Sequence, residues 1–205
     1  MYISIYTDRG TDAFLSVAAD IPVMEKSEAR ELLHRYVKSD ALIAHSLATA
    51  AIMREVARHL GEDAGLWETI GLLHDIDYEV TGGDMQRHGP AGYDILRAHG
   101  VSEEIAEIVR RHNHTLFTGH DTPVEIALQA ADSVSGLIIA CALVKGGKLS
   151  EVTPKTVRKK YKDKAFAAGC ERERIRAIEP LMDMNTFYEL AIAGLRGIGD
   201  ELGLA

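Results

Sequence analysis

The sequence has little that would tie it to the outside of a cell, to a membrane or to nucleic acid. Only two of 205 residues are cysteines, Cys141 in an apolar run and Cys170 in a polar one. That is too few for a disulfide framework and fits a reducing cytosol, so a cytoplasmic location is expected. The first residues lack a basic start followed by an uninterrupted apolar stretch, and no secretory signal is read there. The longest apolar segment, residues 124–144, contains Glu125, Gln129, Asp132, Ser133 and Ser135. It is too polar for a lipid-facing span and suits a buried core helix. The formal charge of −8 gives no general attraction to nucleic acid or an anionic membrane, and neither is expected as a partner. An anionic small substrate stays admissible, because a local metal and a few basic residues outweigh the global field. Strand-like alternation is confined to Tyr2–Tyr6, and neither an internal repeat nor a low-complexity linker is present.

What is present is helical periodicity in a length that suits one domain with a full core. Residues 1–24 read as a tail outside the fold and 25–205 as the domain. Ser27 is expected to cap a first helix carrying Leu32, Leu33, Tyr36 and Val37. A second follows Ser39-Asp40 and stops at Gly61, and a third contains Trp67 to Asp75. After a glycine-rich loop at 78–88, Gly89-Pro90 opens a fourth helix and Ser102 caps a fifth. Thr122-Pro123-Val124-Glu125 is a capping box with proline at the first helical position, and Gly146-Gly147 is the matching stop. Thr153-Pro154 starts another helix, and a last one is expected from about Glu171 to Leu202, with Pro180 as a break point. The expectation is an all-α bundle of about six to eight helices.

The chemistry is carried by polar residues on inward faces. Leu66, Ile70, Leu73 and His74 share one helical stripe, which turns the imidazole inward, and Asp75 follows directly. Alone, this pair reads as a core histidine beside a helix-end aspartate. It does not stand alone. His45 shares a face with Leu42, Thr49, Ile52 and Val56, and His112 lies on the stripe of Ile105 and Val109. His88 precedes Gly89-Pro90, and Asp132 lies in the middle of the most apolar helix, where an unpaired carboxylate is costly. Six oxygen and nitrogen candidates from five segments suit a divalent metal pair such as iron or manganese better than one tetrahedral zinc. Magnesium, nickel, cobalt and zinc are further candidates.

The order His45, His74-Asp75, Asp132 resembles the signature of the HD superfamily of metal-dependent phosphohydrolases. His88 in Arg87-His88-Gly89-Pro90 and His112 in Arg110-Arg111-His112-Asn113 resemble the extra ligands of its two-metal members. The resemblance covers about residues 40–145, with C-terminal helices at 153–205. The segment Lys159–Phe166 is similar to a stretch in an uncharacterised branch. The resemblance implies that His45, His74, Asp75 and Asp132 hold one ion and that Asp75 bridges to a second at His88 and His112. It implies hydrolysis of a small phosphate ester or nucleotide by a water that the metal acidifies, with Asp75 central. Asp77 and Glu79, just past the ligand pair, are candidates to orient that water or shuttle its proton. Arg87, Lys159 and Lys162 are candidate phosphate contacts, the lysines on the stripe Lys155, Arg158, Lys159, Lys162. His114 is a reserve ligand. Asn113 stands where some two-metal relatives have a histidine. Asp77 replaces the glycine of the common His-Asp-x-Gly variant, and no lysine follows three residues after Asp75, which disfavours a triphosphohydrolase-like role. Alternative readings are a di-iron oxygenase of the same fold and a non-catalytic ligand-binding module; homo-oligomer formation is left open.

Overall fold

A computed structural model describes residues 24–205, and among these there is no strand. The expected tail lies outside the described residues except for Met24, which packs half-buried against the core. The helices are α1 (Lys26–Tyr36), α2 (Asp40–Leu60), α3 (Ala64–Leu73), α4 (Tyr78–Thr81), α5 (Pro90–Ala98), α6 (Glu103–Arg111), α7 (Pro123–Leu143), α8 (Pro154–Tyr161), α9 (Arg172–Arg176) and α10 (Met184–Arg196). Two of the ten, α4 and α9, have four and five residues; the other eight agree with the expected all-α bundle.

Most boundaries follow the local signals. Ser39 caps α2 through Leu42 N, and Gly61 ends it in the left-handed region at φ 77. The Thr122–Glu125 capping box forms at the start of α7, satisfying two otherwise orphaned donors. One expectation is corrected: helix α1 begins one residue before Ser27, with Glu25 at the cap position and no side-chain cap bond. The helix expected from Glu171 divides around the break point Pro180, and Asp183 caps the fresh start by accepting from Asn185 N and Thr186 N at 2.9 and 3.2 Å. The loop at 78–88 also contains the one-turn α4.

Helix α2 is central, packed against α3, α7 and α10; α7 also meets α8 and α9, and α5 and α6 form a hairpin whose second arm touches α3. By length and composition α7 could cross a membrane, but within this bundle Ala127, Leu128, Ala131, Val134 and Leu137 are buried. Apolar burial of such residues is the main stabilising term for a bundle of this kind.

The tight crossing of α2 and α3 matters most, since it brings the His45 helix against the His74 helix. Gly71 permits it: a Cβ there would lie 2.9 Å from Ala50 Cα. The neighbour is backbone, so an added methyl must push the helices apart. Gly71→Ala is therefore expected to destabilise the protein by ~1–3 kcal/mol, the usual cost of overpacking, in denaturant unfolding. Unchanged stability would show that the crossing has slack.

Candidate metal centre

Five segments deliver six side chains to one place. His45 comes from the second turn of α2, and Asp132 from the middle of α7. His74 and His112 are the C-cap residues of α3 and α6, Asp75 follows the first of these, and His88 precedes α5. They form two triads, His45–His74–Asp132 and Asp75–His88–His112, the ligand atoms within each lying within 4.8 Å of one another.

Asp75 joins the triads. Its Oδ2 is 3.4 Å from both His45 Nε2 and His74 Nε2. Its Oδ1 is 3.1 Å from His112 Nε2 and 3.4 Å from His88 Nε2. In the first triad Asp132 Oδ1 lies 3.2 Å from His45 Nε2.

The hydrogen bonds at the far side of each ring fix which nitrogen faces inward. His74 Nδ1 donates to Gly71 O at 2.8 Å, and His112 Nδ1 to Val109 O at 2.5 Å. His88 Nδ1 donates to Asp77 Oδ1 at 2.9 Å. Ser135 spends its single hydroxyl proton on Asp132 O, so it accepts from His45 Nδ1 at 3.2 Å. Four Nε2 lone pairs therefore converge. His45 and His74 Nε2 are 3.2 Å apart, and His88 and His112 Nε2 are 3.0 Å apart. Lone pairs facing each other beside two carboxylates need a cation or protons between them. A divalent ion in each triad meets that need, and imidazole with carboxylate is a donor set for iron, manganese, nickel, cobalt or zinc. The C-terminal ends of α3 and α6 add the negative ends of two helix dipoles to the same spot.

Several anticipated residues have other roles. Asp77 is fully buried and has no access to water: beyond His88 it accepts from Gly89 N at 2.7 Å and Gly92 N at 2.8 Å. It is thus a positioning residue for His88, not a proton carrier. Glu79 is turned the other way, accepting from Lys38 N and Ser39 N at 2.7 Å ahead of α2. Lys162 lines a groove with Arg158, Tyr161, Arg176, Glu179, Met184 and Tyr188, none of them a ligand, and Lys159 is exposed on the same helix. Arg87 is exposed as well. His114 pairs with Glu171 Oε1 at 3.0 Å and belongs to neither triad. Asn113 donates to Met85 O and His88 O at 2.7 and 2.8 Å, so it fastens the His88 loop rather than leaving a ligand vacancy. Sequence reasoning missed Ser135 and Arg174, the latter donating to Asp132 Oδ2 at 2.5 Å. The signal for Ser135 was its position three residues after Asp132, which puts both on one side of the same helix.

Protons and metal compete here. Burial lowers the His45 pKa, but its bonds to Asp132 and Asp75 more than reverse this and raise it to about 10. For His88 burial is likewise overcome by Asp75 and Asp77, giving about 9. Burial pushes His74 down to about 4. Burial raises the Asp75 and Asp132 carboxyls, yet the surrounding imidazoles, with Arg174 for Asp132, hold both below the usual range.

Both raised histidines contribute stability that is full below their ordinary value of 6.5 and is lost as pH rises through about 9 to 10. Metal-free protein should therefore melt at lower temperature at pH 10 than at pH 7. Manganese added near pH 7 should release the protons of His45 and His88, read by an indicator dye in weak buffer. Uptake without proton release would remove both from the ligand set. Asp77→Ala, which frees the His88 ring, should weaken binding of one of two ions by ~10–100-fold in a manganese titration; unaltered binding would deny Asp77 its positioning role.

Comparison with known proteins agrees with this geometry. Residues 42–137 match the family model of the HD domain. The ribonuclease Y of Nitratidesulfovibrio vulgaris (strain DP4) is 33% identical over 110 residues, covering 52% of this chain and 20% of that protein. That of Thermobifida fusca is 29% identical over 128 residues, 62% of this chain and 25% of its own length. A tRNA (cytidine(56)-2'-O)-methyltransferase of Thermoplasma volcanium is 33% identical over 82 residues, 40% and 24% respectively. The chain spans about a fifth to a quarter of these relatives' lengths. All six converging side chains fall inside the matched segment, and residues 42–137 of this chain are an HD domain.

Proposed function

We propose that this protein is a metal-dependent phosphohydrolase with a two-ion centre, acting on a small phosphate ester or nucleotide. The observation that carries the reading is the division of Asp75, one oxygen toward each triad. When bound, divalent ions there supply Lewis acidity toward phosphoryl oxygens and lower the pKa of water. The remaining work falls to the chain itself.

His74, His88 and His112 are buried, whereas the side chains of His45, Asp75 and Asp132 are 22, 14 and 16% exposed. The accessible side of the centre is therefore the His45–Asp132 side, and a phosphoryl group approaches from there. Gly71 O, Val109 O, Asp77 and Ser135 hold the rings in one tautomer and one orientation, so no reorganisation is needed when charge develops on the substrate. Tyr78, 36% exposed, has its ring edge-on to His88 with centroids 5.3 Å apart, and provides an aromatic surface beside the second triad for the non-reacting part of a substrate.

A second reading has its own support. Relatives named ribonuclease Y share the matching segment, and a phosphodiester in RNA would use the same chemistry. The formal charge of −8 favours the small substrate, because an RNA substrate gains most of its affinity from neutralised phosphates.

The test is a metal analysis of protein purified without chelator, followed by a panel of phosphomonoesters, nucleotides and a short RNA. Two equivalents of metal and turnover of a monoester or nucleotide are expected; RNA cleavage alone would favour the second reading, and turnover only with oxygen and mixed-valent iron would favour an oxygenase. His74→Ala and Asp75→Ala should each lose hydrolysis and bound metal, and His88→Ala should halve the stoichiometry. Wild-type metal content in folded His74→Ala or Asp75→Ala would sink the assignment.

A further inference from the structure

We infer that Arg174, from outside the segment that matches the HD domain, is a positioning residue that completes the metal centre by fixing Asp132 and tying the two triads together. The inference rests on the metal-binding reading above but not on any particular reaction.

Arg174 presents a planar fork to two acceptors of α7. Its Nη2 donates to Asp132 Oδ2 at 2.5 Å, and its Nε to Gln129 Oε1 at 2.7 Å. The first bond occupies one carboxylate oxygen of Asp132 and leaves the other, Oδ1, facing His45 at 3.2 Å. Asp132 is thereby held for one-oxygen ligation. The second bond continues the chain: Gln129 Nε2 donates to His112 O at 2.8 Å. One guanidinium thus reaches a ligand of the first triad directly and a ligand of the second through a single amide. A bidentate, pre-oriented donor is what arginine supplies and lysine does not.

The side chain is itself firmly placed. It is only 15% exposed, and Ile175 beside it is fully buried. Two residues earlier Arg172 fastens the preceding loop, donating to Ala167 O at 2.7 Å, Cys170 O at 2.6 Å, Asp163 O at 3.1 Å and also Phe166 O. The loop after α8 thus has a role: it presents α9 to the open side of the centre. A positive charge next to a cation site opposes binding by charge alone, so its value here must lie in orientation.

The experiment is a manganese titration of folded protein, with free ion read by electron paramagnetic resonance, for wild type, Arg174→Met and Arg174→Lys. Arg174→Met removes the charge and the fork, and Arg174→Lys restores only the charge. The expected result is binding weakened by ~10–100-fold in Arg174→Met. Arg174→Lys should recover only part of the loss, since one ammonium cannot reproduce both bonds. A helix-stabilising role alone would lower the melting temperature and leave the affinity of the folded protein unchanged. Binding in Arg174→Met equal to or tighter than wild type overturns the inference. Absence of manganese, iron, cobalt, nickel and zinc binding in the wild type would instead overturn the metal reading, and this role of Arg174 with it.

Discussion

The arrangement of the whole centre depends on one carboxylate serving two sides. Asp75 places its two oxygens among four imidazole nitrogens, all within 3.4 Å. Such a group survives at that depth only if positive charge, as metal or as protons, surrounds it. The fold provides this by a repeated device. His74 and His112 each stand at a helix C-terminus, and each bonds back to the carbonyl three residues earlier. Both carbonyls lie in the last turn of their helices, beyond the reach of the regular bond from the residue four positions on. Ending the helix, choosing the tautomer and aiming the lone pair are therefore one event at each site.

Around this core the supporting contacts form a closed set. Arg111, next to His112, donates to Glu125 Oε1 at 2.8 Å, and Glu125 is also the capping-box residue of α7. The start of the Asp132 helix is thereby referenced to the end of the His112 helix. Asp77 ties His88 to the first turn of α5 through Gly89 and Gly92. A Cβ at Gly89, whose φ is 89, would lie 2.5 Å from Arg110 O, so the chain passes α6 there only as glycine. Asn113 closes the same loop from the other side.

Much of this was legible in the sequence because it is local. Helical periodicity turned His45, His74 and His112 inward, caps and glycines marked α2, α5, α6 and α7, and a carboxylate in the most apolar helix marked Asp132. The resemblance carried by those residues added the two-metal grouping. What misled was sequence proximity. Asp77 and Glu79 follow the ligand pair and were expected to handle protons, but one serves His88 from a fully buried position and the other meets the backbone ahead of α2. The basic stripe of α8 likewise had the right charge, yet its Lys162 borders a groove lined by none of the ligands.

By itself the sequence determined the class of fold, the limits of most helices and which polar residues turn inward from helices α2, α3, α6 and α7, since each follows from the spacing of apolar and polar residues along one helix. Only the tertiary structure decided how closely the two triads approach, which oxygen of Asp75 faces which triad, and that Arg174 and Ser135 belong to the centre. Those facts depend on distances between residues 42 and 90 positions apart in the chain, as for Arg174 with Asp132 and Ser135 with His45. Periodicity along a helix says which side faces inward, but what it faces is set by how the helices pack.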